Sequence, residues 1–117
     1  MKNPFCLKPY EIVEKSTQIR KSVLAMNCKA GQGHTGADLS ETDILASLYF
    51  RLLRYSSDNP NDPARDRFIL SKGHGVGGLY CTLAQAGLLD EAELETYLQF
   101  DTKLPGHPVR QRTPFIE

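Results

Sequence analysis

A short apolar run, Arg67-Phe68-Ile69-Leu70-Ser71, stands between a polar loop and a cluster of glycines. It is bounded by charge and Gly and shows no polar alternation, so it reads as a buried strand of the parallel kind. Such a strand needs ladder partners, because buried backbone N–H and C=O groups must be paired. No second segment in the chain has this character, and the other apolar patterns repeat at helical spacing. The expectation is an α/β chain, helix-rich with one clear strand. Its sheet is completed either by a neighbour hidden after Asp101 or by something outside the 117 residues.

The helical patterns are explicit. From Pro9 to about Asn27, Ile12, Ile19, Val23 and Met26 fall 7, 4 and 3 apart, with Pro9 just inside the start. Ile44, Leu45, Leu48, Tyr49, Leu52 and Leu53 predict a second helix with a broad apolar stripe, capped by Ser40 and ending near Tyr55. Ser56 to Asp66, rich in Asp, Asn and Pro, is a loop. Gly73, Gly75, Gly77 and Gly78 open a third helix through Leu79, Tyr80 and Leu83, closed by Gly87. Asp90 and Glu93 signal a last helix carrying Leu94, Tyr97 and Leu98, and from Asp101 onward the chain is loop-like.

Composition narrows the class. Lys+Arg 14 balance Asp+Glu 14, which argues against a nucleic-acid binder that relies on a uniformly basic surface. The length suits one domain at most, so an enzyme carrying both a cofactor lobe and a substrate lobe does not fit. Cys6, Cys28 and Cys81 are odd in number and widely spaced, which suggests free thiols rather than a disulfide framework or a zinc site. Residues 1–8, with no apolar signal core, read as a flexible lead-in, and no run approaches membrane-spanning length. The expected location is the cytoplasm, with no membrane partner.

Two stretches match the G-x-G-x-x-G string, Gly31-Gly33-Gly36 and Gly73-Gly75-Gly78. The first follows a helix, so the dinucleotide reading fails there. The second follows the apparent strand and opens a helix whose N–H groups and dipole suit a phosphate, but the second strand of a βαβ unit is missing. The sharper feature is that every histidine follows a glycine: Gly33-His34, Gly73-His74 and Gly106-His107. None lies on an apolar helix stripe, and each lies at an element end or in a loop, where functional side chains concentrate. Convergence on one anionic or hydroxylated ligand ranks first, since imidazole donates, accepts and passes protons near neutral pH. Scattered surface histidines rank second. Zinc ranks last, because no two histidines share a short metal-site spacing, and no metal ligand is assigned.

Three ordered motifs carry a family resemblance: Lys29-Ala30-Gly31-Gln32-Gly33-His34-Thr35-Gly36, then Asp66-Arg67-Phe68-Ile69-Leu70-Ser71-Lys72-Gly73-His74-Gly75, then Leu104-Pro105-Gly106-His107-Pro108. From about Ile12 to Glu117 the chain resembles the start of a transketolase, closest to the N-terminal subunit of the split type. The resemblance implies the N-terminal portion of a doubly wound domain that binds thiamine diphosphate, here a partial domain over residues 1–117. It implies a transferase of the pentose phosphate pathway that moves a two-carbon ketol unit between sugar phosphates. By motif, His34 would lie near the cofactor diphosphate and the reacting carbon, and His74, with Gly73 and Gly75, would contact the diphosphate. His107 would face the thiazolium and the substrate hydroxyl, so His34 and His107 are the catalytic candidates.

Departures from the family pattern bear on activity. Thr35 stands where proline is usual, Gly77-Gly78 replaces larger residues, and Leu98 sits where the family tends to have an arginine. The family's G-D-G motif and downstream asparagine, which hold magnesium on the diphosphate, lie beyond Glu117, as does the glutamate of the partner domain. The expectation is therefore a chain inactive alone, which needs a C-terminal transketolase part or an oligomer. The alternatives are a non-catalytic fragment or gene remnant that docks on a transketolase partner, and a different phosphate-ligand enzyme built on the three histidines.

Overall fold

The computed structural model describes residues 1–117 and contains helices, turns and loops. Helix α1 spans Pro9–Ala30, α2 Thr35–Ser40, α3 Thr42–Ser47 and α4 Val76–Gln85. A wider π-type turn, Leu48–Leu52, continues α3, and 3-10 turns occupy Gly73–Gly75 and Glu91–Thr96.

Helix α1 begins where the proline places it. Glu11 Oε1 accepts a hydrogen bond from Lys8 N at 3.1 Å and so satisfies a free N–H at the helix entrance. At the other end Gly31 takes φ 70, and its N–H donates to Cys28 O at 3.2 Å. The buried face is Ile19, Val23 and Met26, packed on α3 and α4. Helix α4 is buried from Val76 through Leu83 and forms the centre of the core. It ends in a Schellman motif: Leu88 N donates to Leu83 O at 2.9 Å and Gly87 N to Ala84 O at 3.1 Å, with Gly87 at φ 74.

The expected second helix is divided. Ser40 does not cap it but closes α2, and Glu41 takes the cap position of α3. The π-type turn inserts extra backbone per turn and rotates the following side chains about the axis. The buried face is Thr42, Leu45, Ala46, Tyr49 and Phe50, whereas Ile44 is 63% exposed and Leu52 60% exposed, although the expected stripe assigns both to the core. The last predicted helix is a 3-10 turn, and Asp90 does cap it, with Asp90 Oδ1 accepting from Ala92 N at 3.0 Å.

The expected strand is absent. Residues 67–70 have no regular secondary structure, and their backbone groups enter none of the backbone hydrogen bonds, so no ladder exists. The physical reason is the one the sequence raises: no second extended segment lies alongside, and the tail after Asp101 forms turns instead. Phe68 and Leu70 pack against the core while Ile69 is 71% exposed. Residues 1–8, expected as a flexible lead-in, carry contacts to the core. Asn3 is buried and its Nδ2 donates to Tyr49 O at 2.9 Å, and Leu7 N donates to Phe50 O at 2.9 Å. No helix is long and apolar enough to cross a membrane. The three cysteines are free, and burial pushes the Cys81 thiol up to about 12, so it behaves as an apolar side chain.

Candidate functional site

The three histidines come from three different elements and meet. His34 precedes α2 as its N-cap residue, His74 sits in the Gly73–Gly75 turn, and His107 lies in the loop after Leu104. The ring centroids of His34 and His74 are 4.8 Å apart, and those of His74 and His107 are 4.5 Å apart. Both pairs are edge-to-face, at 68° and 76°, so His74 stands in the middle of a row. All three are exposed. A row of accessible imidazoles can donate to an anion, accept from a hydroxyl and pass a proton between neighbours.

Glycines allow the row to close. Gly33 takes φ 146, and a Cβ there would stand 2.6 Å from the Asn27 side chain, so only glycine lets the chain turn into His34 so near α1. A Cβ on Gly73 would stand 3.2 Å from His107 Cδ2, which brings the two loops together at the ring edge. The His107 loop is held from behind: Tyr80 OH donates to Pro105 O at 2.7 Å, and Thr113 Oγ1 donates to Lys103 O at 2.6 Å.

Behind the row lies an acidic floor that the sequence motifs do not announce. Asp38 is fully buried. Its Oδ1 accepts from Gly78 N at 3.0 Å, its Oδ2 accepts from Asn27 Nδ2 at 3.1 Å, and its own carbonyl accepts from Thr42 Oγ1 at 2.9 Å. Burial pushes the Asp38 carboxyl up, while the Asn27 and Gly78 hydrogen bonds and the nearby His34 and Lys72 hold it down. The anion at the start of α4 is therefore an internal one. The dipole that suits a phosphate in the sequence is engaged by Asp38 instead, and the bare backbone at Gly77 and Gly78 faces that residue. Gly75 is buried, and the space its Cβ would need is taken by Glu41 Oε1. Burial pushes the Glu41 carboxyl up to about 7, against the pull of Lys72 and with the help of Asp38. Asp38 and Glu41 flank a helix junction, where sequence reasoning takes acids for caps. Their pairing with three glycines from far along the chain is the signal that could have found them.

No group of three or more His, Cys, Asp or Glu side chains is arranged to hold a metal ion. The donors that fit an anionic, hydroxylated group are the exposed imidazoles. Gly73 lies half-buried beside His107, and Gly75 faces the acidic floor.

Residues 13–117 match the family described as transketolase, thiamine diphosphate binding domain. The chain belongs to this family. Among its relatives, it is 48% identical over 116 residues to an apulose-4-phosphate transketolase subunit of Actinobacillus succinogenes, covering 98% of this chain and 42% of that protein. It is 41% identical over 107 residues to the 6-deoxy-6-sulfo-D-fructose transketolase subunit SqwG of a Clostridium species, covering 92% of this chain and 39% of that protein. In structure it is similar to the transketolase of Leishmania mexicana, with a TM-score of 0.84 and 31% identity over 89% of this chain and 16% of that one. The chain thus spans less than half the length of these proteins.

Proposed function

We propose that this chain is the cofactor-side portion of a thiamine-diphosphate-dependent transketolase, which transfers a two-carbon ketol unit between sugar phosphates in the cytoplasm. The observation that carries the reading is the row His34–His74–His107, assembled from three motifs far apart in sequence. In this reading His74 donates to the cofactor diphosphate, beside the Gly73 and Gly75 backbone. His34 would lie near the diphosphate and the reacting carbon, where its imidazole can hold or pass a proton, and His107 would hydrogen-bond the substrate hydroxyl. When bound, thiamine diphosphate supplies the nucleophilic carbon and electron sink for breaking and making the C–C bond. The exposed imidazole donors fit its diphosphate. No acidic cluster of these residues would hold a magnesium ion on that diphosphate, so in this reading its protein ligands would come from another segment.

The likeness to proteins named as transketolase subunits supports assembly with a second, C-terminal transketolase chain. The test adds thiamine diphosphate and magnesium to the 117-residue chain, alone and with such a partner. Expected are binding and ketol transfer only with the partner, both lost in His74→Ala. Stoichiometric, magnesium-dependent binding by the chain alone overturns the dependence on a partner.

A second reading is a non-catalytic fragment that docks on a transketolase chain. The unladdered residues 67–70 with Ile69 exposed favour it. Co-purification with the partner but no ketol transfer at any ratio selects this reading; a monodisperse monomer beside the partner excludes it.

A further inference from the structure

Glu41 is a buried acid to which ketol transfer at the histidine row gives no role. The residue is 7% exposed, and both carboxyl oxygens are closed off from solvent with no hydrogen-bond partner. Its Oε1 fills the space a Gly75 side chain would need, so the carboxyl lies directly against the backbone of the turn that carries His74. On the other side of that space is the stem of Lys72, whose Cε stands 3.1 Å from the same point. The Lys72 ammonium is engaged elsewhere, donating to Ala37 O at 3.0 Å and to Ser40 Oγ at 3.1 Å. Lys72 thereby straps the turn to α2, and Glu41 wedges beneath the strap.

The charged groups around this wedge are few. Asp38 of α2 is a like charge, and the first turn of α4 offers only Val76, Gly77 and Gly78. The titratable imidazoles on the adjoining elements are His34 at the start of α2 and His74 in the turn itself. Arg20 of α1 reaches the junction but is bound to Leu39 O and Asp43. Lys72 is the one cation left to Glu41. An uncharged carboxyl is tolerable here, whereas a carboxylate without donors is not. On losing its proton Glu41 must either draw Lys72 off Ala37 and Ser40 or leave the seam. Both outcomes move the turn that follows Lys72.

We propose that Glu41 is a positioning residue for His74: a protonated wedge between α2 and the Gly73–Gly75 turn that keeps His74 between His34 and His107. This deepens the assignment of the histidine row as the working site and rests on that assignment for its purpose, although its geometry does not depend on a cofactor. Loss of the Glu41 proton releases the strap and the row opens at its middle member.

The experiment reads the turn directly. Gly75 N donates to Lys72 O at 2.9 Å, so protection of the Gly75 amide from solvent exchange reports the docked turn. In the wild-type chain, without cofactor, protection corrected for intrinsic exchange should fall about tenfold between pH 6 and pH 8.5. Glu41→Gln, which keeps the shape without a titrating proton, should hold the turn docked across the range. Glu41→Ala should leave it loose at every pH, with the nuclear Overhauser contact between His74 and His107 weakened. A wild-type pH dependence that persists in Glu41→Gln overturns the proposal, as does a Glu41→Ala chain with wild-type protection and ring contact. Failure to bind thiamine diphosphate would count against the enzyme reading alone.

Discussion

Asp38 Oδ1 accepts a hydrogen bond from Gly78 N at 3.0 Å, so the central helix of this small core starts on an acid supplied by α2. The same carboxylate holds Asn27 of α1 through Oδ2, and one side chain ties three helices. Removing it strands the buried Gly78 N–H and leaves the Asn27 amide only its bond to Thr35 Oγ1. Asp38→Ala should cost about 2–4 kcal/mol, since hydrogen bonds to a charged group and buried orphan donors each count for more than a neutral bond. Asp38→Asn keeps the shape and one acceptor and should lose about half as much. Urea unfolding followed by circular dichroism measures both; equal losses in the two variants would show that packing, not the carboxylate, holds the junction.

The pH dependence of stability follows from Glu41. Unfolded, its carboxyl ionises near the ordinary 4.5; folded, it keeps its proton up to about 7. Between these values the unfolded chain has released a proton that the folded chain still holds, so rising pH favours unfolding. The full loss is on the order of 3 kcal/mol, present below pH 4.5 as stability and gone above about 7. Asp66 works in the opposite sense: Arg54 hydrogen bonds lower its carboxyl to about 2, so its contribution is lost only as pH falls below the ordinary 3.8. The two windows do not overlap. Urea midpoints should therefore drop between pH 5 and pH 8 in the wild-type chain and drop less in Glu41→Gln. A wild-type midpoint that stays level across that range would contradict the burial of Glu41.

What the amino-acid order makes legible here is whatever depends on neighbours along the chain. Pro9 and Gly87 mark helix ends through local backbone geometry, and both do so in the structure, whereas the first helix runs past the expected Asn27 to its cap at Gly31. The Gly-His pairs stand out for the same reason, and the structure brings their three imidazoles into one row. The missing ladder, the π-type turn and the acidic floor are not local. Phe50 is buried on the face of Thr42, Leu45, Ala46 and Tyr49, one step round the helix from the expected stripe, so Ile44 and Leu52 face outward. Asp38 and Glu41 look like ordinary cap acids until Gly75, Gly77 and Gly78 arrive beside them from a distant part of the chain. The run at 67–70 has the composition of a strand, but a strand is a relation between two segments, and only one is present.

Gly31 and Gly33 separate two kinds of glycine. Gly31, at φ 70, has nothing within 4 Å of where a Cβ would go, so Gly31→Ala incurs only the left-handed backbone strain, about 1 kcal/mol. Gly33, at φ 146, would drive its Cβ to 2.6 Å from Asn27. Gly33→Ala should therefore cost about 2–4 kcal/mol and displace His34 from His74. Thermal unfolding separates the two stabilities, and the cross-peak between the His34 and His74 rings should vanish only in Gly33→Ala. Retention of that cross-peak with an unchanged melting temperature would mean that the Gly33 backbone does not place His34.

Tyr80 links the core to the outer member of the row. Its ring is fully buried at the centre of α4, packed edge-to-face on Tyr97 with centroids 5.9 Å apart, and its hydroxyl donates to Pro105 O at 2.7 Å. Gly106 and His107 follow Pro105 directly, so this one bond anchors the approach to the His74–His107 contact. Tyr80→Phe preserves the ring packing and deletes only the donor, leaving a half-buried carbonyl without that partner. The stability loss should be about 1 kcal/mol, as for a single neutral hydrogen bond. The larger effect should fall on the loop: faster exchange of the Gly106 amide and a weaker His74–His107 contact, with the His34–His74 contact unchanged because those two rings are carried by the start of α2 and the Gly73–Gly75 turn. Two-dimensional NMR of the imidazole protons in the variant reads both contacts at once. Loss of both contacts together would mean that Tyr80 supports the whole row through the core, and the loop-specific anchor would be wrong.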